Sequence, residues 1–246
     1  MIEKTVLITG SSGGLGSALV SIFYANNYQV VINHLDDEKN VKELITRIGI
    51  NHDRCLVVNC SVADPDAVKM MFSQIREKFG NLNILINNAG LFIKRINHSM
   101  PYDEWQKIIK VNLYGAVYCA KYALPLMLKN KKGTIINVSS TAAINCIDIC
   151  SAAYQASKGA LLGFTRTLAK EMAGQNIIVK AVMPGLIDNG IGLKATNMQK
   201  EKYLKKIPAG KYLLAKDVAR YIYFHSTEDS SSCVGSCNII DNGLTI

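Results

Sequence analysis

Proline, histidine and acidic residues are all scarce in this 246-residue chain, and each scarcity excludes something. With 5 Pro and 18 Gly there is no collagenous repeat and no Pro-rich linker. The four His, at 34, 52, 98 and 225, are scattered, and none neighbours the Cys146/Cys150 or Cys233/Cys237 pair. A zinc site, or any other metal site, is therefore not expected. Seven Cys is an odd number, and the first strand-like run already begins at Thr5, leaving no room for a secretory leader. Reduced, buried thiols in a cytoplasmic protein are expected. The longest apolar stretch, Val111 to Leu128, carries Asn112, Lys121 and Pro125, which makes it a buried helix rather than a membrane span. Acidic residues number 19 against 28 basic ones, a formal charge of +9. No groove-reading motif or interleaved aromatic pattern accompanies that charge, so nucleic acid is not an expected partner.

What is present is a strict alternation. Short runs rich in Val and Ile occupy Thr5–Thr9, Gln29–Asn33, Cys55–Asn59, Ile84–Asn87, Thr134–Ser139, Ile177–Met183 and Cys237–Asp241. They are apolar almost throughout, as strands covered on both faces should be. Between them lie helix candidates at Leu15–Asn26, Glu38–Ile48, Asp64–Phe79, Tyr102–Leu128, Ser151–Ala173 and Lys216–His225, with Asp64-Pro65 reading as an N-cap and first helical position. There is no internal repeat and no composition break. The pattern predicts an α/β fold over residues 1–246 as a single domain. Its core is one doubly wound parallel sheet of about seven strands with helices on both faces, of Rossmann type. Ligands in such a sheet bind beyond the carboxyl ends of the strands, so the residues that follow each strand deserve the closest reading.

The first strand runs into Thr9-Gly10-Ser11-Ser12-Gly13-Gly14-Leu15-Gly16 and then a helix. Glycines at 10, 14 and 16 let the backbone turn tightly and approach a pyrophosphate, and the helix presents free N–H groups to that anion. This glycine spacing resembles the short-chain dehydrogenase/reductase family, and four further motifs occur in the family's order. They are Asn87-Asn88-Ala89-Gly90 after the fourth strand, Asn112 in the long helix, Ser139-Ser140 with Tyr154-Gln155-Ala156-Ser157-Lys158, and Pro184-Gly185 after the sixth strand. The resemblance covers essentially the whole chain. Its implied cofactor contacts are Gly10 to Gly16 (with Ser11, Ser12, Gly13, Gly14 and Leu15), Asn33, His34, Leu35, Ser61, Val62, Asn88, Ala89, Gly90, Tyr154, Lys158, Pro184, Gly185, Ile187 and Asn189.

Tyr154 and Lys158 stand four apart in a helical segment and so share a face. A free phenol has a pKa near 10, and a neighbouring ammonium favours the phenolate, making Tyr154 a usable proton donor and acceptor. Ser140, 14 residues earlier, is placed to hydrogen-bond a substrate oxygen as charge grows on it, with Ser139 and Thr141 as rival hydroxyls. Asn112 has two readings, a water-mediated link between Lys158 and solvent, which the family implies, or satisfaction of backbone groups in a bent helix. The resemblance implies hydride transfer between a nicotinamide and a carbonyl carbon, with the proton coming from Tyr154 and Lys158 also anchoring the ribose.

The second strand ends without the Asp that NAD-linked relatives use, since Asp36 and Asp37 come slightly late, and Gly13 stands where NADP-linked relatives often carry Arg. Asn33-His34 resembles NADP-linked 3-oxoacyl carrier-protein reductases, with Ser12, Asn33 and His34 as neutral donors to the 2′-phosphate. NADP(H) is the favoured expectation, with NAD(H) possible. Ser61 replaces an acid that commonly meets adenine, Asn189 a common Thr, and Lys180 a common Asn. The nearest whole-chain likeness is to 3-oxoacyl-(acyl carrier protein) reductases of fatty acid biosynthesis. The Lys-rich stretches 194–216 and 129–132 suit an acyl carrier protein or another acidic ligand, while Gln175 stands where carrier-binding relatives are basic. A dehydrogenase of small alcohols, sugars or steroids and a catalytically silent nucleotide-binding scaffold are the alternatives. A mobile lid is expected over 186–212, and a homotetramer or homodimer through the two long helices.

Overall fold

In the computed structural model, residues 4–146, 151–188, 196–227 and 232–246 are described. Seven strands lie side by side, all parallel, in the order β3-β2-β1-β4-β5-β6-β7. They are β1 (Thr5–Ile8), β2 (Gln29–His34), β3 (Cys55–Asn59), β4 (Ile84–Asn87), β5 (Gly133–Val138), β6 (Ile177–Pro184) and β7 (Cys237–Ile240). Each departs from its expected bounds by at most a residue at either end. Strand order reverses between β1 and β4, which opens a crevice at their carboxyl ends.

The period of two along each strand divides the core. Val6, Ile8, Val30, Ile32, Ile84 and Ile86 point to one face, where they meet α1 (Gly14–Ala25), α2 (Glu38–Ile48) and α8 (Ala215–Ser226). Leu7, Val31, Leu85 and Ile135 point to the other, where α3 (Pro65–Phe79), α5 (Gly115–Lys129) and α6 (Ala152–Met172) cover them. These apolar runs without alternation thus make a sheet dry on both sides. The Asp64 carboxylate accepts the N–H groups of Asp66 and Ala67 at 2.9 and 3.2 Å, capping α3 as expected.

Two elements differ from the sequence expectation. The continuous helix expected over Tyr102–Leu128 is α4 (Tyr102–Ile109), a π-turn at Lys110–Tyr114, and then α5. A π-turn fits an extra residue into the coil and re-aims the side chains it carries, here Asn112. The polar segment Asn197–Leu204 forms α7, which carried no amphipathic signal.

The thiols are not uniformly buried. Cys55 and Cys119 are, and burial pushes the Cys55 thiol up to about 11, but Cys146 and Cys233 are exposed. Lys180 is fully buried in β6, and its Nζ donates to the His225 carbonyl at 2.9 Å in the last turn of α8, where a cation complements the helix dipole. Among the described residues, no helix is long and apolar enough to cross a membrane, and no three His, Cys, Asp or Glu cluster to hold a metal.

Candidate active site

The turn after β1 is held from behind by the chain that follows β4. Thr9 Oγ1 accepts the N–H groups of Asn88 and Ala89, both at 3.0 Å, and Asn88 Nδ2 donates to the Thr9 and Gly10 carbonyls at 2.9 and 3.0 Å. A Cβ on Gly10, whose φ is +60°, would stand 2.8 Å from Ala89 Cα, and one on Gly16 would stand 2.4 Å from the Gly10 carbonyl oxygen. Only glycine permits that approach. On the crevice side the situation is reversed, since a Cβ on Gly13 or Gly14 would meet nothing within 4 Å. There α1 begins with no side-chain cap and no acidic residue in its first turn. An open cradle of backbone at an uncapped helix start fits the pyrophosphate of a dinucleotide.

The expected contacts around the adenine ribose divide differently. Asn33 is buried, accepting the Gly10 N–H at 3.3 Å on Oδ1 and donating to the Cys60 carbonyl at 3.0 Å from Nδ2. The Ser11 hydroxyl is turned inward to the Asn33 carbonyl at 3.2 Å. His34 is buried, its Nδ1 accepting the Asp37 N–H at 3.3 Å, while Leu35 is exposed. Ser12 hydrogen-bonds the Asp37 carboxylate, which also accepts from Asn40 Nδ2 at 2.7 Å. Those bonds, Ser12 foremost, hold the Asp37 carboxyl below the ordinary carboxylate range. Ser12 and Asn33 thus turn their donors to partners within the protein, whereas His34 engages only its accepting Nδ1. The ionised Asp37 carboxylate, slightly later in the chain than the Asp of NAD-linked relatives, stands beside Ser12. Ser61 caps its own turn through the Ala63 N–H at 3.2 Å. Val62 is buried against Gly115, where a Cβ would come within 2.7 Å of it.

The residues expected to handle the proton lie at the carboxyl ends of β4 and β5. Ser151 caps α6 by accepting the Tyr154 N–H at 3.3 Å, which starts the helix three residues before the phenol. Lys158, one turn on, is buried. Its Nζ donates to the Val138 carbonyl at 2.7 Å and lies 5.8 Å from the centroid of the Tyr154 ring. Burial pulls its pKa down to about 8.

Of the three hydroxyls in contention, Ser139 is buried and donates to the Lys158 carbonyl at 2.9 Å, and Thr141 is buried as well. Ser140 is half-buried at the mouth of β5, its Oγ accepting the Ala142 N–H at 3.1 Å.

The side chain of Asn112 meets backbone, but not that of its own helix. Oδ1 accepts the Leu91 N–H at 2.7 Å, and Nδ2 donates to the Leu91 carbonyl and to Ser157 Oγ, both at 3.0 Å. Ser157 in turn donates to the Tyr154 carbonyl at 2.7 Å. A Cβ on Gly90 would lie 3.7 Å from both Asn112 Oδ1 and Lys158 Nζ, so the absence of a side chain there keeps the approach to these groups open.

Further residues fix this arrangement without having been expected. Asn87 Nδ2 donates to Asn137 Oδ1 at 2.8 Å, and Asn137 Nδ2 donates to Thr165 Oγ1 at 2.9 Å, tying β4, β5 and α6 together. Two amides at the same register inside apolar strands were the available signal. At the far side Pro184 ends β6, and Gly185 packs on Asp241, where a Cβ would stand 2.8 Å from Asp241 Cβ. Ile187, near the start of the stretch 186–212 expected as a lid, bridges to Leu213, and residues 189–195 of that stretch lie outside the described residues. Asn189 lies outside the described residues.

A family model described as short chain dehydrogenase matches residues 4–201. The 3-oxoacyl-[acyl-carrier-protein] reductase FabG of Thermotoga maritima is 32% identical over 243 residues, covering 99% of this chain and 98% of its own. The 3-oxoacyl-[acyl-carrier-protein] reductase of Synechocystis sp. is also 32% identical, covering 100% and 98%. The crystal structure of a short chain dehydrogenase from Bacillus anthracis superposes with a TM-score of 0.89 at 27% identity, covering 99% of this chain and 97% of that one.

Proposed function

The chain is an oxidoreductase of the short-chain dehydrogenase family, and on that premise we propose that it reduces the ketone of a 3-oxoacyl thioester, with Ser140, Tyr154 and Lys158 as the catalytic residues. The observation that carries this reading is the buried Lys158 ammonium 5.8 Å from the centre of the Tyr154 ring, beside the crevice at the strand ends. A lysine with a pKa of about 8 is mostly protonated at neutral pH, and its charge in a partly dry cleft favours the phenolate. Tyr154 therefore gives its proton to the substrate oxygen at a pH where a free phenol is a poor exchanger. The Ser140 hydroxyl donates to the same oxygen and stabilises the charge that develops there. Asn112 acts by holding Leu91 and Ser157. A bound nicotinamide dinucleotide supplies or accepts the hydride. Gly10 to Gly16, Asn88 to Gly90, Lys158 and Pro184 to Ile187 are the residues proposed to hold it.

The carbonyl class rests on the two reductases named above and on the basic surface, which suits an acidic carrier protein or coenzyme A. On the cofactor, Asp37 favours NAD(H) over the NADP(H) expected from sequence, since its carboxylate repels a 2′-phosphate and accepts a 2′-hydroxyl. The protein is proposed to act as one domain in the cytoplasm, as a homo-oligomer, with residues 186–212 as its lid. An acetoacetyl thioester, small ketones, sugars and steroids, each offered with NADH and NADPH and followed at the nicotinamide absorbance, test the reading. Turnover of the thioester is the expected result. Turnover confined to the other carbonyls overturns the substrate assignment, and dinucleotide binding with no turnover at all overturns the enzymatic one.

A further inference from the structure

The ring of Phe92 stands edge-on to that of Tyr154, with centroids 5.1 Å apart and planes at 87°. Such a T-shaped pair is an attractive packing geometry, and it fills the space beside the phenol with a rigid apolar body. Phe92 is fastened on both sides. Its neighbour Leu91 has both backbone groups bonded to Asn112 at 2.7 and 3.0 Å. Three residues on, Arg95 pairs with Glu104 of α4 through contacts of 2.8 and 3.0 Å, so the segment is pinned before and after the ring. Phe92 is half-buried, whereas residues 94 to 99 are exposed, which makes it one of the last side chains of this segment that still reach inward.

The phenolic oxygen that serves the reacting carbonyl belongs to the ring Phe92 touches. A substituent beside a carbonyl bound at that oxygen, on the side of the ring that Phe92 covers, would meet the Phe92 ring. We propose that Phe92 is a specificity-determining residue, the wall that admits an unbranched 3-oxoacyl chain and rejects one carrying a methyl group between the ketone and the thioester. This rests on the reductase reading above, and it adds the substrate's shape at one carbon. An apolar wall discriminates one methyl group by roughly 10- to 200-fold.

The test uses the full-length protein and a matched pair of probes, the N-acetylcysteamine thioesters of acetoacetate and of 2-methylacetoacetate. If the panel above identifies another carbonyl class, the matched unbranched and α-methyl ketones of that class replace them. The expected result is that Phe92→Ala raises the branched-to-unbranched ratio of kcat/KM at least about tenfold. Phe92→Leu should raise it less, and the pH profile of kcat should stay in place because Tyr154 and Lys158 are both retained. Glu104→Gln, which loosens the pinned segment without touching the ring, should move the ratio in the same direction. If Phe92→Ala does not fold, Phe92→Leu and Glu104→Gln carry the comparison. A ratio unchanged within twofold in the folded variants overturns the inference while leaving the reductase reading intact. A wild-type protein that turns over no carbonyl overturns both.

Discussion

Asn112 grips Leu91 from both sides, its Oδ1 accepting the Leu91 N–H at 2.7 Å and its Nδ2 donating to the Leu91 carbonyl at 3.0 Å. One amide thus stands in for a strand partner and fixes the segment after β4 against the π-turn between α4 and α5. Removing it strands two backbone groups. Asn112→Ala should cost about 1–3 kcal/mol of stability and lower Tm by roughly 3–10 °C. It should also reduce kcat, because Ser157 and the Leu91–Phe92 wall lose their anchor. Thermal melts beside steady-state kinetics check this; an unchanged Tm would show that the clamp is energetically idle.

Tyr154→Phe removes one hydroxyl and little volume. Turnover should fall by roughly 10²- to 10⁴-fold, the range of a positioned acid, while dinucleotide affinity stays within a few-fold by calorimetry. Residual activity near the wild-type level would mean that another group delivers the proton.

The burial that lowers Lys158 has a consequence for stability against pH. Below pH 8 the folded protein holds a desolvated ammonium, and that cost is present in full. As pH rises from about 8 toward the ordinary lysine range, the folded chain releases this proton while the unfolded chain still holds it, so stability increases across that window. The full effect of a lysine pulled down to about 8 is about 3 kcal/mol. Denaturant midpoints of the wild type and of Lys158→Met, each at pH 7 and pH 9.5, isolate it from other titrating groups. The variant should lack the rise and be inactive. The same rise in both proteins would assign it to other groups.

On the proposed reading of Asp37, the cofactor preference is reversible. Asp37→Ser should raise the NADPH-to-NADH ratio of kcat/KM at least about tenfold, the order expected when a like charge is removed from beside a bound phosphate. Binding of 2′,5′-ADP against 5′-AMP gives the same comparison without turnover. An unmoved ratio in both measurements would place the ribose elsewhere.

Gly16→Ala tests the loop. The new Cβ would meet the Gly10 carbonyl oxygen at 2.4 Å and Ser11 Cα at 2.6 Å, both backbone, so the turn has to move. Overpacking of this kind costs about 1–3 kcal/mol, and dinucleotide affinity should fall with it. Gly13→Ala, where nothing lies within 4 Å, is the control and should leave stability unchanged.

Much of this molecule was legible before any coordinates. Val6, Leu7 and Ile8 are consecutive and apolar, which in a strand means two dry faces, and the sheet has them. Glycines at 10, 14 and 16 marked the turn after β1, and the interval from Tyr154 to Lys158 put both on one side of α6. The family resemblance favoured Ser140, but its separation from Ser139 and Thr141 was not legible in spacing alone, because three consecutive hydroxyls differ only in which way the chain turns after β5. Nor was the inward commitment of Asn33, whose amide meets Gly10 and Cys60, residues 23 and 27 positions away.

The sequence by itself determined the parallel α/β sheet, the glycine turn after β1 and the placing of Tyr154 and Lys158 one turn apart on a helix. These depend on periodicity and spacing, which neighbouring residues express on their own. Only the tertiary structure decided that Asn112 holds a loop, that Asp37 meets Ser12 while the Asn33 amide turns inward, and that Phe92 lies against Tyr154. Each of those is a contact between segments brought together by packing, and side-chain direction there follows from the partner across the fold rather than from the local pattern.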